Sequence, residues 1–448
     1  MTNVAVIGGG AAGIGAARTL LANGFDVTLF EAAPRLGGNC VGVVVKDARG
    51  RSWAVDAGVS DFNKTTFPEC ARLLDELGLP TQPIGTDASF ATTDGRTVAS
   101  CRSGRWLVDA AVADAETLAA EVERFRFAAT EVLDDDRFAG WTVGAYLDHL
   151  GASAAFRDLY LRPRAMGCFP MPDCEPDQMP VRSLIGFWRI HGVVGRQPAD
   201  RRCVIGGMHR WPAAFAAWFV ARGGDLQCGA RVLGVARNRR HAEVRCVDRD
   251  GRLRRFRFRH VVFANHPHQI APLLQAPAAE EVAALGRFVH QRARVVVHRD
   301  ERLVGHDRRT WGAFHYLIPS ADLPRVRPTI TFHPNRLASL PADAPDVFVT
   351  MNPHVEPRAD RVVVERHFVH PVASAANADA AARLELLQGR RRTWYAGSYL
   401  RSPFVHESAL GSGIHAAQLL LQGERNGVAA ARIAHGRTRT ADPDALSA

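Results

Sequence analysis

The 448-residue chain carries a formal net charge of +10 and a pI near 9.7, with 47% hydrophobic residues. Its length calls for two or three domains. A mean hydropathy of −0.11, with no run of about 20 uncharged apolar residues, argues against a transmembrane helix. The positive charge is almost entirely arginine, Lys46 and Lys64 being the two lysines, and no helix-turn-helix, zinc-finger or RNA-binding signature accompanies it, so a nucleic-acid partner is not expected. Eight cysteines are scattered without a CxxC pair or a zinc spacing, which predicts reduced core thiols, no disulfide framework and no metal site. The N-terminus lacks a basic stretch ahead of its apolar run, so it is not a secretory leader, and a cytoplasmic protein is expected.

Residues 4–7 are a short apolar run followed by Gly8, Gly10 and Gly13 in the spacing GxGxxG, and residues 11–21 are small or helix-favouring. The pattern predicts a strand, a tight turn and a helix whose free N-terminal amides and positive dipole end attract a pyrophosphate. Gly8 serves the turn, Gly10 the close approach of phosphates, and Gly13 the packing of helix on strand. Gly24 ends the helix, residues 26–30 predict a second buried strand, and Glu31 stands where a carboxylate accepts both ribose hydroxyls of an adenosine. These residues taken by themselves leave NAD and a bare turn open.

The continuation Arg35-Leu36-Gly37-Gly38 resembles the flavin-containing amine oxidase and phytoene desaturase superfamily, in which an RxGG segment closes over the FAD pyrophosphate. The resemblance implies noncovalent FAD, held at this end by Gly8, Gly10, Ala12, Gly13, Glu31, Arg35, Gly37 and Gly38. Strands are predicted at 40–46 and 53–55, joined at Arg49-Gly50, and a helix at 69–77. Around them, Phe62-Asn63 and Thr66-Phe67-Pro68 are similar to a bacterial group of predicted NAD/FAD-binding amine-oxidase-like proteins with DxGF, FN and TYP-like segments. Val59 and Phe67 depart from that pattern.

Short strands near 89–99 and 106–108, then helices at 110–129, 143–150 and 181–190, suit a lid or substrate pocket. A helix at 211–222 and strands at 230–236, 242–248 and 256–263 follow; the Arg/Phe alternation of 252–260 reads as a strand with one wet face. By resemblance the backbone of Val232 meets the adenine, and Ala264-Asn265-His266-Pro267 matches the family's ATHP segment. His266 and His268 are either catalytic bases or structural and capping residues. Strands at 293–297, 313–318, 329–332 and 347–351 predict an antiparallel sheet above the cofactor.

In the last block, residues 393–398 form a strand ending in a glycine turn, and His406-Glu407 leads through Gly411 and Gly413 into a helix. The bacterial group has a similar block, which by resemblance brings Gly397, Ser398, His406 and Glu407 to the flavin; Ser402-Pro403 is an insertion relative to it. Such a helix N-terminus aimed at the isoalloxazine stabilises negative charge there. Tyr399, Phe404 and His406 become the candidate catalytic group, with the two aromatics flanking substrate and His406, oriented by Glu407, handling a proton. Residues 436–448 are expected to be disordered.

The fold expected is α/β. A discontinuous Rossmann-like FAD domain comprises 1–85, 200–285 and 386–435, and an α+β substrate domain with an antiparallel sheet and inserted helices comprises 86–199 and 286–385. With no second GxGxxG for NAD(P)H, the expected activity is that of an FAD-dependent oxidoreductase. It would be a desaturase, oxidase or redox-neutral double-bond isomerase, taking hydride from a hydrophobic, fatty-acyl or polyene-like substrate and passing electrons to dioxygen or another acceptor. The alternatives are an amine or amino-acid oxidase, and an FAD-binding subunit with structural flavin. The sequence leaves the oligomeric state open.

Overall fold

The computed structural model describes residues 2–112, 115–168, 175–196, 200–238, 240–320, 327–338, 340 and 343–438. Its inner sheet has five parallel strands in the order Asp225–Cys228, Asp26–Glu31, Asn3–Ile7, His260–Phe263 and Thr393–Tyr395. Alternate residues of these strands feed two different cores, as parallel strands buried on both faces require. Val4, Val6, Val27, Leu29 and Val262 pack towards the helices Ala11–Ala22, Arg210–Ala221 and His406–Thr438. Ala5, Ile7, Phe30, Val261 and Phe263 pack the other way, against the three-stranded antiparallel sheet Arg231–Arg237, Ala242–Val247 and Leu253–Phe258 and the helix Ala375–Glu385.

The stretch read as one strand at 256–263 is two strands in two sheets. The break falls at Arg259, whose N–H donates to Asn3 O at 3.0 Å. The alternating half, Leu253–Phe258, passes through Arg259 into the fully buried run His260–Phe263 with no turn residue between them, so the sequence carries no mark of a break.

The outer sheet has eight strands in the order Val362–Pro371, His290–His298, Phe348–Met351, Thr329–Phe332, Phe314–Ile318, Ala88–Thr92, Thr97–Arg102 and Arg105–Val108. It was expected to be antiparallel, and it is so except where Phe314–Ile318 pairs parallel with Ala88–Thr92. The edge strand Val362–Pro371 was not anticipated. Glu365, Arg366 and His367 are all exposed there, and a solvated edge erases the apolar alternation. The helices Ala115–Ala128, Val143–His149, Arg162–Cys168 and Val181–Ile190 share a separate core built on Phe125, Tyr146, Tyr160 and Trp188. The last helix starts at His406, ahead of Gly411, and continues to Thr438, so residues 436–438 are helical; the remainder of the expected tail lies outside the described residues.

One rung of the outer sheet is polar and buried. Thr350, Thr331, His315, Ser89 and Ser100 stand opposite one another on five consecutive strands. Thr331 and Thr350 hydroxyls lie 2.7 Å apart, Ser89 Oγ lies 2.6 Å from His315 Nδ1, and His298 Nε2 lies 2.6 Å from Thr350 Oγ1. The residues on either side of these in the strands, such as Tyr316, Ile330 and Met351, point to the opposite face and line a cavity.

Burial pushes the imidazoles of His191, His266, His290, His298, His370 and His406 down to about 4, and that of His315 to about 3, from an ordinary 6.5. As pH falls the unfolded chain takes up protons first. The stability these neutral side chains carry is therefore complete above about pH 6.5 and is lost progressively down to about pH 4. The melting temperature should fall steadily on acidification below about pH 6.5; one that rises over that interval would contradict the assignment.

Candidate functional site

The first strand ends at Gly8, whose N–H donates to Phe30 O at 2.8 Å and whose φ of +109° turns the chain into the first helix. A Cβ on Gly13 would fall inside the carbonyl oxygen of Gly8, so helix and turn are packed backbone to backbone. Gly10 is different. A Cβ there would meet nothing nearer than Gly38 Cα at 3.9 Å, which leaves a slot between the two glycine segments. Glu31 frames one end of the slot: its carboxylate accepts from Gly9 N–H and Ala33 N–H, each at 2.7 Å. Two bonds leave lone pairs over for further donors.

This slot opens into a cavity of about 960 Å³, at the upper end of the range for small-molecule sites. Gly8, Gly10, Ala12, Glu31, Gly37, Gly38, Gly397, Ser398, Tyr399, Phe404 and His406 all line it. Gly397 N–H donates to Ser412 Oγ at 2.8 Å, which ties the end of the last inner strand to the C-terminal helix. Tyr399 lies beneath Gly397 with its ring 5.0 Å from that of Phe288, and its hydroxyl has no partner. The ring of His406 lies 5.0 Å from Phe67, and its buried Nε2 has no partner either. Phe404 holds a left-handed φ of +67°, a costly conformation for an aromatic residue.

Other expected residues are not brought to the cavity lining. Arg35 is exposed and lines a separate surface groove with Pro34, His209 and Arg210. Val232 packs into the core on the far side of the inner sheet, although nearby Ala230 N–H donates to Glu31 O at 3.0 Å. Gly13 acts through packing. Glu407 does not orient His406: its two carboxylate oxygens accept from the N–H groups of Glu69 and Cys70, each at 2.9 Å, capping the helix Pro68–Glu76. His266, by contrast, does line the cavity; it is also the N-cap residue of the helix Pro267–Leu273, its own N–H donating to Gln269 Oε1 at 3.2 Å, and its ring lies within 5.6 Å of those of His268 and His290. Burial pushes the imidazoles of His266 and His290 down to about 4, so capping and packing describe these two better than base chemistry does.

Several lining residues carried no sequence signal. Asp61 and Arg201 form a buried ion pair at 2.8 Å, which holds the Asp61 carboxyl below its usual value against the cost of burial. The Arg201 guanidinium stands 5.0 Å over Phe314. His191 donates from Nδ1 to Phe187 O at 2.9 Å and stacks on the Phe187 ring at 4.2 Å. Arg164, Tyr316 and Trp106 line the end of the cavity nearest the outer sheet. Among so many arginines, nothing in the sequence separates Arg164 or Arg201 from their surface counterparts.

The profile of the flavin containing amine oxidoreductase family matches residues 11–298, well over half of the chain. The chain belongs to that family. Protoporphyrinogen oxidase 2 of Arabidopsis thaliana is 30% identical over 193 residues, which is 37% of each chain. Two solved structures share the fold over nearly the full length. One is the cyclohexylamine oxidase of Brevibacterium oxydans IH-35A, with a TM-score of 0.66, 14% identity and coverage of 95% of this chain and 99% of that one. The other is the CLA-producing fatty acid isomerase of P. acnes, with a TM-score of 0.64, 15% identity and coverage of 94% and 98%.

This member of the flavin-containing oxidoreductases is therefore an enzyme whose cofactor is FAD. The residues fit that cofactor. Gly10 and Gly38 leave room for a pyrophosphate, and Glu31 keeps lone pairs for ribose hydroxyls. The orphaned Nε2 of His406 lies buried on the same cavity. No helix among the described residues is long and apolar enough to cross a membrane, no cluster of His, Cys, Asp or Glu there is arranged to hold a metal, and the seven described cysteines are free.

The two glycines separate binding from folding. Gly10→Val should leave the far-ultraviolet circular dichroism unchanged while cutting FAD content, read from absorbance after heat release, by about tenfold or more. Gly13→Val should lose the fold itself. Full FAD content in Gly10→Val would remove the pyrophosphate from this slot.

Proposed function

We propose that this enzyme transforms an elongated hydrophobic substrate as an FAD-dependent desaturase, oxidase or double-bond isomerase. The observation that carries this reading is the continuity of the cavity. Its glycine slot opens without a break into a chamber walled by Phe187, Phe314, Tyr316, Ile330, Phe332 and Met351. Bound in the slot, FAD supplies the hydride acceptor, and the protein supplies orientation and a dry surround. The discontinuous flavin domain, of residues 1–85, 200–285 and 386–435, is part of the same proposal, as is an electron acceptor such as dioxygen in a cytoplasmic setting.

In this reading Tyr399 and Phe404 flank the reacting segment of the substrate. His406 acts as a neutral hydrogen-bonding group. Burial holds its imidazole at about 4, with His191 opposing and Asp61 favouring its charge, so it is uncharged at neutral pH and a weak proton acceptor. Its unpartnered Nε2 is suited to hold a polar atom of cofactor or substrate. Amine oxidation receives less support: by the family resemblance many amine oxidases place a lysine near the reactive flavin nitrogen, and among the described residues no lysine lines the cavity, Lys46 and Lys64 both being exposed.

Anaerobic mixing of the purified yellow protein with a polyunsaturated fatty acid should bleach the flavin band or yield a double-bond isomer. Bleaching by amines with no response to lipids would overturn the proposal. The rate should show no inflection from His406 above about pH 5, and His406→Gln should retain more of it than His406→Ala. A requirement for the imidazole as a base would instead appear as a loss of about 100-fold or more in both variants with FAD retained.

A further inference from the structure

Among the described residues three arginines line the cavity, and two of them are matched. Arg126 pairs with Glu123 at 3.0 Å, and Arg201 with Asp61 at 2.8 Å. Arg164 has no acidic partner and no side-chain hydrogen bond among the described residues, and its Nε is buried without an acceptor. Arg162, two residues earlier on the same helix, shows what a satisfied guanidinium looks like here: its Nε and Nη2 reach Asp177 at 2.9 and 2.7 Å.

Aromatic rings hold Arg164 in place. Its guanidinium carbon lies 5.0 Å from the centroid of Tyr160, 5.7 Å from Tyr316 and 6.0 Å from Phe90, and Tyr316 and Phe90 stack on each other at 4.8 Å. Cation–π attraction offsets part of the desolvation of the charge, but it leaves the planar N–H fork without oxygen acceptors. A guanidinium stays protonated at any working pH, and a buried one without a counter-charge is costly. Tyr160 and Tyr316, whose phenolic hydroxyls can donate, line the same cavity. One fork of charged donors and two phenols on a cavity wall form a receptor for a carboxylate.

Resting on the hydrophobic-substrate reading above, we propose that the substrate is a long-chain carboxylic acid whose carboxylate is received by Arg164. All three rings around it come from the outer sheet and the inserted helices, so the anchor stands at the end of the cavity away from the glycine slot. The chain then runs past Ile330, Phe332 and Met351 towards Gly397 and His406. A protonated amine at the anchor would meet the guanidinium as a like charge and be repelled.

The test uses the FAD-loaded protein and three probes of one chain length, dodecanoate, dodecanol and dodecylamine, with affinities from calorimetry. Dodecanoate should bind at least about tenfold tighter than dodecanol, and dodecylamine weakest. Arg164→Gln should weaken dodecanoate by about 30-fold or more and leave dodecanol unchanged, with FAD content intact, while Arg164→Lys keeps part of the preference for the acid. Equal affinities for acid and alcohol in the unmodified protein, no binding of either, or an equal loss of both in Arg164→Gln would each overturn the anchor. Should Arg164→Gln fail to retain FAD, Arg164→Lys decides: loss of charge-dependent preference with the charge retained speaks against a simple electrostatic site, and retention supports it. Equal affinities together with bleaching by a lipid would overturn the anchor alone, whereas bleaching by amines only overturns the reading beneath it.

Discussion

The first helix and the last one touch through their backbones, and the arrangement of the site depends on that contact. A Cβ on Gly15 would stand 2.5 Å from Leu410 O, and one on Gly413 would stand 2.8 Å from Ala16 N and inside the carbonyl oxygen of Ala12. Glycine inside a helix costs about 1 kcal/mol relative to alanine. Here it permits a crossing too close for any side chain. The crossing brings segments some 400 residues apart to the carboxyl end of the inner sheet, where the glycine turn and the Gly397 turn meet the same cavity. Ser412 and Glu407 extend the joint, the first to the last inner strand and the second to the amides of Glu69 and Cys70.

The cavity lies at the seam of two sheets with different jobs. The inner sheet delivers backbone amides and carbonyls at the ends of its strands, as open parallel sheets do. The outer sheet delivers alternate side chains from one face, and these are mostly apolar. Polar groups that enter between them are either neutral, as His191 and His406 are, or matched, as Asp61 and Arg201 are. Against that background an unmatched guanidinium stands out.

The glycine-slot end of the cavity was legible in the sequence because its geometry is carried by the backbone. Gly8, Gly10, Gly13 and Glu31 are recognisable by identity and spacing, since a turn of that shape accepts few other residues. The outer-sheet end of the cavity was not legible, for the opposite reason. Phe187, Phe314, Tyr316 and Phe332 face the cavity through ordinary strand and helix alternation, which looks the same whether the face covers a core or a ligand. Charged partners were harder still. Glu407 stands beside His406 in the chain, yet successive helical residues diverge by about 100° and its carboxylate serves another helix. The division at Arg259 between two sheets, and the parallel joint between Phe314–Ile318 and Ala88–Thr92, depend on tertiary partners that no local pattern records.

The buried polar rung of the outer sheet has a bearing on how the molecule assembles. A slip of one residue in any of its strands would turn hydroxyls and imidazoles into the apolar chamber and apolar groups into their place, so these strands have one acceptable pairing. The joint between Ser89 and His315 spans 226 residues, whereas Thr331 and Thr350 are 19 apart. The hairpins between 314 and 351 can form early from local closure, but the joint to the strand at 88–92 waits on a far longer loop. The stacked rings that flank Arg164, Phe90 on one side of that joint and Tyr316 on the other, meet only when it closes. The aromatic bed of Arg164 is then expected among the last parts of the molecule to take shape.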